Sequence, residues 1–153
     1  MRFTSRRLIK PGDLNANNTL FGGALLRWID EEAGIYAMIK LGDQKVVTKF
    51  MSEINFQATA KQGDIIEIGL AVKSVGTTSI TFECAIRNIL TKKLILTIDS
   101  IVFVLINEEG RPTPHGLTYD TLPRNPDWLI FYNFIIQTES EVRNEILIEG
   151  ILL

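Results

Sequence analysis

The stretch Asn15-Ala16-Asn17-Asn18-Thr19-Leu20-Phe21-Gly22-Gly23 runs directly into Ala24-Leu25-Leu26-Arg27-Trp28-Ile29-Asp30-Glu31-Glu32-Ala33-Gly34. A polar, amide-rich loop ends in a Gly-Gly pair, and a helix begins there. Leu25, Leu26, Ile29, Ala33, Tyr36, Ala37 and Lys40 recur at steps of three and four, the mark of an amphipathic helix. Arg27 and Glu31 stand four apart on the wet side and can pair weakly. Gly42-Asp43 stops the helix, glycine being the usual residue just past a helix C-terminus.

Asp30 is off this pattern. Leu26 precedes it by four, and Ala33, Gly34 and Ala37 follow at three, four and seven. It is expected near the edge of the buried stripe, facing small and apolar groups. Burying a carboxylate costs several kcal/mol, roughly, unless it is paired or neutralised. Two readings stand side by side. Asp30 is a rim residue that caps something or reaches water. Or it is a functional carboxylate, with the small residues leaving room for a ligand or a second helix. Gly22-Gly23 is equally double. It is a tight turn into the helix, or a place where a ligand approaches the backbone. The first N–H groups of a helix lack partners and carry the positive dipole end, so they can hold an oxyanion.

The rest of the chain reads as a frame. A length of 153 residues with 46% hydrophobic content suits one domain with a real core. No apolar run approaches the ~18 residues of a membrane-spanning helix. The start, Met1-Arg2-Phe3-Thr4-Ser5-Arg6-Arg7-Leu8, has basic residues with no apolar segment behind them, unlike a secretory signal. The one cysteine, Cys84, excludes an internal disulfide. These features point to a cytoplasmic protein. A net charge of −2 and scattered Lys and Arg give no case for a nucleic-acid partner. The one histidine, His115, has no second His or Cys near it, so no metal site is expected.

Phe3 to Lys10 reads as an exposed strand, ended by the turn Pro11-Gly12-Asp13. Beyond the helix, strands are expected over residues 45–56, 65–75, 79–90 and 94–107. In the third of these, Ile80, Phe82, Cys84 and Ile86 point one way and Thr81, Glu83 and Arg87 the other. The last is nearly all apolar, as a central strand buried on both faces would be. One strand, one long helix and four consecutive strands give an α+β class: an antiparallel sheet with one long helix packed on a face. The sheet has more apolar surface than one helix covers, so a homo-oligomer is expected. Residues 1–115 form the domain. Residues 116–153, with an apolar run from Trp128 to Ile136, are expected to pack on the body or on a neighbouring subunit.

Taken in order, these pieces resemble the hotdog-fold acyl-CoA thioesterases. The resemblance is carried by Asn15-Ala16-Asn17, Phe21-Gly22-Gly23 and Asp30. Val46-Val47-Thr48 through Ile54-Asn55-Phe56, Gly63-Asp64, Gly76-Thr77-Thr78-Ser79 and Glu109-Gly110-Arg111-Pro112 extend it. The similarity is to bacterial short- and medium-chain acyl-CoA hydrolases and the cytosolic brain-type acyl-CoA hydrolase. It covers roughly residues 5 to 115.

The resemblance implies a sheet wrapped around the helix, and it implies roles. Asp30 matches the catalytic carboxylate. Gly22 and Gly23 match the helix start whose backbone N–H binds the thioester oxygen. Asn55 and Phe56 match a strand lining the acyl pocket. Gly76, Thr77, Thr78 and Ser79 match a turn that contacts the coenzyme A moiety. Asn15 and Phe21 fall on the substrate side of the loop. The family usually has Gly at the place of Asn18 and an acidic or amide residue at the place of Thr19, so the second catalytic polar group is expected to be Thr19 or Asn17. Relatives often carry Glu at the place of Ser52.

The implied activity is hydrolysis of acyl-CoA to fatty acid and coenzyme A, a step of fatty acid metabolism. Asp30 would act as general base or nucleophile, in a homodimer or a trimer of dimers. No metal or organic cofactor is implied; coenzyme A enters as part of the substrate. The alternative is a hotdog protein that binds acyl-CoA without cleaving it. A hotdog dehydratase would need a histidine in the helix region, and none is there.

Overall fold

The computed structural model describes residues 1–122. The expected packing of the tail concerns residues mostly outside that range. Strand β1 (Arg2–Leu8) leads through a short 3-10 turn (Pro11–Asp13) and the loop to helix α1 (Gly22–Leu41). Strands β2 (Val46–Met51), β3 (Ile54–Phe56), β4 (Ile65–Val75), β5 (Ser79–Asn88) and β6 (Leu94–Leu105) follow. The sheet order is β1-β4-β5-β6-β2, with β3 also paired to β6, and every pairing is antiparallel.

One expectation about the strands changes. The stretch 45–56 is two strands rather than one. Ser52 N–H donates to Ser100 O (2.8 Å), and Ser100 N–H donates to Ser52 Oγ (3.0 Å). This pair of bonds replaces the regular ladder and lets the chain turn between β2 and β3. β6 is a central strand as expected, with β5 on one side and β2 and β3 on the other. Most of its residues are buried.

Helix α1 ends where its sequence says it should: Gly42 takes a left-handed φ of 68° and donates its N–H to Met38 O at 2.8 Å. Leu25, Ile29, Ala33 and Ala37, four apart, are all buried, and this row lies on the concave face of the sheet. Opposite it are Ile80, Phe82, Cys84 and Ile86 of β5, also buried. The small helix residues serve this packing. A Cβ on Gly34 would sit 3.5 Å from the Phe103 ring. Tyr36 and Phe103 flank Phe82 with ring centroids 5.2 and 6.1 Å away. The space beside Gly34 is therefore taken by the Phe103 ring of the sheet. Phe82→Ala should lower the unfolding free energy by about 3–5 kcal/mol, the usual cost of emptying a buried aromatic site, read from a urea titration.

Among the described residues, no helix is long and apolar enough to cross a membrane. β2 closes one edge of the sheet. Val47 and Phe50 on it are exposed, as are Ile35 and Ile39 of α1.

Candidate active site

The loop before α1 is organised by one side chain. Asn15 Oδ1 accepts from the backbone N–H of Asn17 (2.9 Å) and of Thr19 (3.2 Å). Its Nδ2 donates to Thr19 Oγ1 (3.0 Å), and that hydroxyl lies 3.2 Å from Oδ1, so it can donate back. The backbone closes the same ring: Asn15 N–H donates to Thr19 O (2.8 Å) and Asn18 N–H to Asn15 O (3.0 Å). Closing so tight a turn forces Asn18 to a φ of 57°, a conformation that glycine adopts freely and asparagine tolerates best among the rest. Asn18 is therefore a fitting substitute for a glycine.

Phe21 is the N-cap of α1 and supplies no side-chain cap. The first N–H groups of the helix thus have no acceptor within it. Gly22 and Gly23 allow aromatic rings to lie against this end. A Cβ on Gly22 would be 3.3 Å from Phe56 Cζ, and one on Gly23 would be 2.6 Å from Phe21 Cε1.

A cavity of about 380 Å³ opens beside this helix end. Asn15, Thr19, Gly22 and Phe56 line it, together with Gln57 to Ala60 of the segment after β3. That segment carries no motif, and sequence reading passed over it. Asn55 does not line the cavity, because adjacent strand residues face opposite ways. Asn17 and Phe21 are exposed outside it, and Asn17 contributes its backbone N–H to the loop.

Asp30 lies elsewhere. It is exposed. Its Oδ1 accepts a 2.6 Å hydrogen bond from Thr48 Oγ1 of β2, and Oδ2 has no partner among the described residues. Ala33 and Ala37 are buried against the sheet, while Asp30 sits at the edge of that row, exposed and within reach of the edge strand β2. Thr48, eighteen residues on, was not singled out as a site residue. Seven residues separate Gly23 and Asp30 on one helix, about 10 Å at ~1.5 Å per residue.

The turn from Gly76 to Ser79 forms the β4–β5 hairpin, with Gly76 N–H donating to Ser79 O at 2.8 Å. A Cβ on Gly76 would meet Ser79 Oγ at 2.6 Å, so glycine is what the turn accepts. Gly76 and Thr77 line a second cavity of about 400 Å³ with Pro114 and residues 116–119. His115 holds that segment in place. Leu117 N–H donates to its Nδ1 (3.1 Å), so Nε2 carries the proton and donates to Ser79 O (3.2 Å). Both ring nitrogens are used structurally. Among the described residues, no cluster of His, Cys, Asp and Glu could hold a metal ion. Most of the expected site residues thus occupy three places in one chain, the loop cavity, the Asp30–Thr48 pair and the hairpin turn, while Asn17, Phe21, Gly23 and Asn55 lie outside the cavity.

The family model described as the thioesterase superfamily matches residues 17–93, the span from the loop through β5. The uncharacterized acyl-CoA thioester hydrolase YkhA of Bacillus subtilis is 31% identical over 92% of this chain and 80% of its own. The chain belongs to the thioesterase superfamily. Among solved structures, this thioesterase is similar to the acyl-CoA hydrolase of Staphylococcus aureus, solved with butyryl coenzyme A, coenzyme A and coenzyme A disulfide. The two share 29% identity and a TM-score of 0.65, over 95% of this chain and 92% of that one. Alanine mutants of that enzyme, at an asparagine and at an aspartate fifteen residues further on, have been solved too. A hexameric hotdog-fold thioesterase of Campylobacter jejuni is 26% identical, with a TM-score of 0.62 over 72% of this chain and 86% of that one. The sheet wrapped on one helix is the hotdog fold.

Proposed function

We propose that this thioesterase hydrolyses acyl-CoA, with Asp30 as the reacting carboxylate and Asn15, supported by Thr19, as the polar partner that positions thioester and water. The observation that carries this reading is the state of Asp30. It faces solvent, one oxygen is anchored by Thr48 Oγ1, and the other has no partner among the described residues. An anchored carboxylate with a free oxygen can take a proton from water or attack the thioester carbon itself. In either case the carbonyl oxygen becomes negative, and the N–H groups at the start of α1 can hold it. The sulfur leaves as coenzyme A. The reaction consumes water and the thioester and calls for no further cofactor.

Asn15 takes precedence over the expected Thr19 and Asn17. Its distance of fifteen residues from Asp30 equals the spacing of the residues replaced in the Staphylococcus aureus mutants. Its amide also fixes the loop, while the Thr19 hydroxyl is turned onto that amide. Gly76 to Ser79 remain the proposed contact for the coenzyme A moiety.

The site is proposed to be shared between two copies of the chain. Asp30 and the helix start are too far apart on one helix to reach the same carbon, which requires groups within roughly 3 Å of the reacting atoms. An edge strand has unpaired backbone groups that a partner strand can satisfy, and β2 with exposed Val47 and Phe50 offers such an edge. Assembly beyond the dimer, as three dimers, fits the hexameric relative.

A thiol-release assay with acyl-CoA tests the function. The protein itself contributes little background. Burial pushes the Cys84 thiol up to about 12, with Glu32 adding to the shift, and it is the only cysteine. Saturable release of coenzyme A supports hydrolysis. Tight binding of acyl-CoA without release would make the chain a binding protein instead. In the same assay Thr48→Val is expected to lower kcat about tenfold with KM little changed, the scale of one lost charge-assisted hydrogen bond. Thr48→Ser should restore it.

A further inference from the structure

The cavity beside the loop is graded from wet to dry. Asn15, Thr19 and Gly22 at its mouth are partly exposed, and Gln57 and Thr59 are exposed. Its inner wall is Leu25, Ala60 and Ile95, which are 1%, 2% and 3% exposed. The mouth is polar and begins at the helix N–H groups proposed to hold the thioester oxygen, while the inner wall is aliphatic. We infer that this cavity takes the acyl chain of the substrate and that Ala60 and Ile95 set the length it accepts. This rests on the function proposed above.

Three observations converge on it. The first is size. Pockets for small ligands span about 300–1,000 Å³, and about 380 Å³ lies at the small end, which suits a short or medium aliphatic chain. The second is rigidity. Ala60 O accepts from Leu20 N–H (2.8 Å), and Ile95 O accepts from Gln57 N–H (2.8 Å) and Ala58 N–H (3.3 Å). These bonds tie the inner wall to the loop, to the segment after β3 and to β6, so it cannot yield to a longer chain without breaking backbone hydrogen bonds. The third is the choice of residue. Ala60 is the smallest side chain of the buried wall, so any larger residue there takes space directly from the ligand. Of the bulky residues near the helix, Trp28 is in the core and Tyr36 packs on Phe82. Only Phe56 of that set borders the cavity, and it stands at the exposed mouth.

The test measures binding of non-hydrolysable S-butyl- and S-octyl-CoA thioethers by calorimetry, alongside kcat/KM for butyryl- and octanoyl-CoA. A buried methylene is worth about fourfold in affinity. Ala60→Val adds two carbons and is expected to lower the octyl-to-butyl affinity ratio about 15-fold, with the kcat/KM ratio falling in parallel. Ile95→Ala deepens the wall and should move both ratios the other way. Unfolding of one variant leaves the opposite shift of the other to decide. Equal losses for both chain lengths, or no change in either ratio for a folded variant, would overturn the assignment. The thioether arm reads chain length without turnover. Length-dependent binding with no hydrolysis would retain the cavity and reject only the catalytic proposal.

Discussion

Asp30→Asn is expected to lower kcat at least about 10³-fold while leaving the thermal midpoint within a degree or so of wild type. The loss follows from the carboxylate's proposed role: a positioned base contributes about 10²–10⁴-fold, and a nucleophile more. The tolerance follows from its surroundings. Asp30 is exposed, and substitutions at such places usually change stability by less than about 0.5 kcal/mol. Asn keeps an oxygen that can accept the Thr48 hydroxyl, so even the anchoring bond survives. Steady-state kinetics and a thermal melt on the same preparation separate the two effects. Near wild-type turnover in the Asn variant would remove Asp30 from the chemistry.

Asn15→Asp is expected to lower kcat/KM about 10²-fold or more with the loop still formed. The two oxygens of Asp can accept the Asn17 and Thr19 N–H groups as Asn15 Oδ1 does. What is lost is the Nδ2 donor, now bonded to Thr19 Oγ1, and a negative charge is placed where an oxyanion must form nearby. Loss of one such donor to a developing oxyanion costs roughly 10²–10³-fold. Asn15→Ala should be equally inactive and less stable as well, since it removes the whole set of bonds that closes the turn. Comparison of the pair by kinetics and urea melts tells positioning from loop integrity. An active Asn15→Asp would return the role to Thr19.

The sequence made some of this readable because the signals are local. The three-four spacing from Leu25 to Ala37 and the Gly42 stop define α1 to within a residue or two. Alternation in β5 is plain because one face of it is core. The break at Ser52-Glu53 was hidden. β-forming residues flank it on both sides, and the bonds to Ser100 that make it come from a strand almost fifty residues away. The exposure of Asp30 fits the rim position its spacing allows, but its anchor on Thr48 was hidden for a related reason. Helical spacing reports which neighbours share a face, and Gly34 is small where the Phe103 ring lies against it. Thr48 and the Gln57–Ala60 segment escaped notice because their relation to the site depends on strand register and loop path, which no short motif encodes. The His115 contacts with Ser79 and Leu117 are of the same kind.

The central claim is that one active site draws Asp30 from one chain and the Asn15 loop from another. It is tested most directly by co-expressing an Asp30→Asn chain and an Asn15→Asp chain with different tags and isolating the mixed dimer. Two-fold symmetry then puts both lesions in one site and leaves the other intact. The mixed dimer should recover about half the wild-type activity although both parent homodimers are inactive. A mixed dimer as inactive as its parents would place each complete site within a single chain and contradict the shared site.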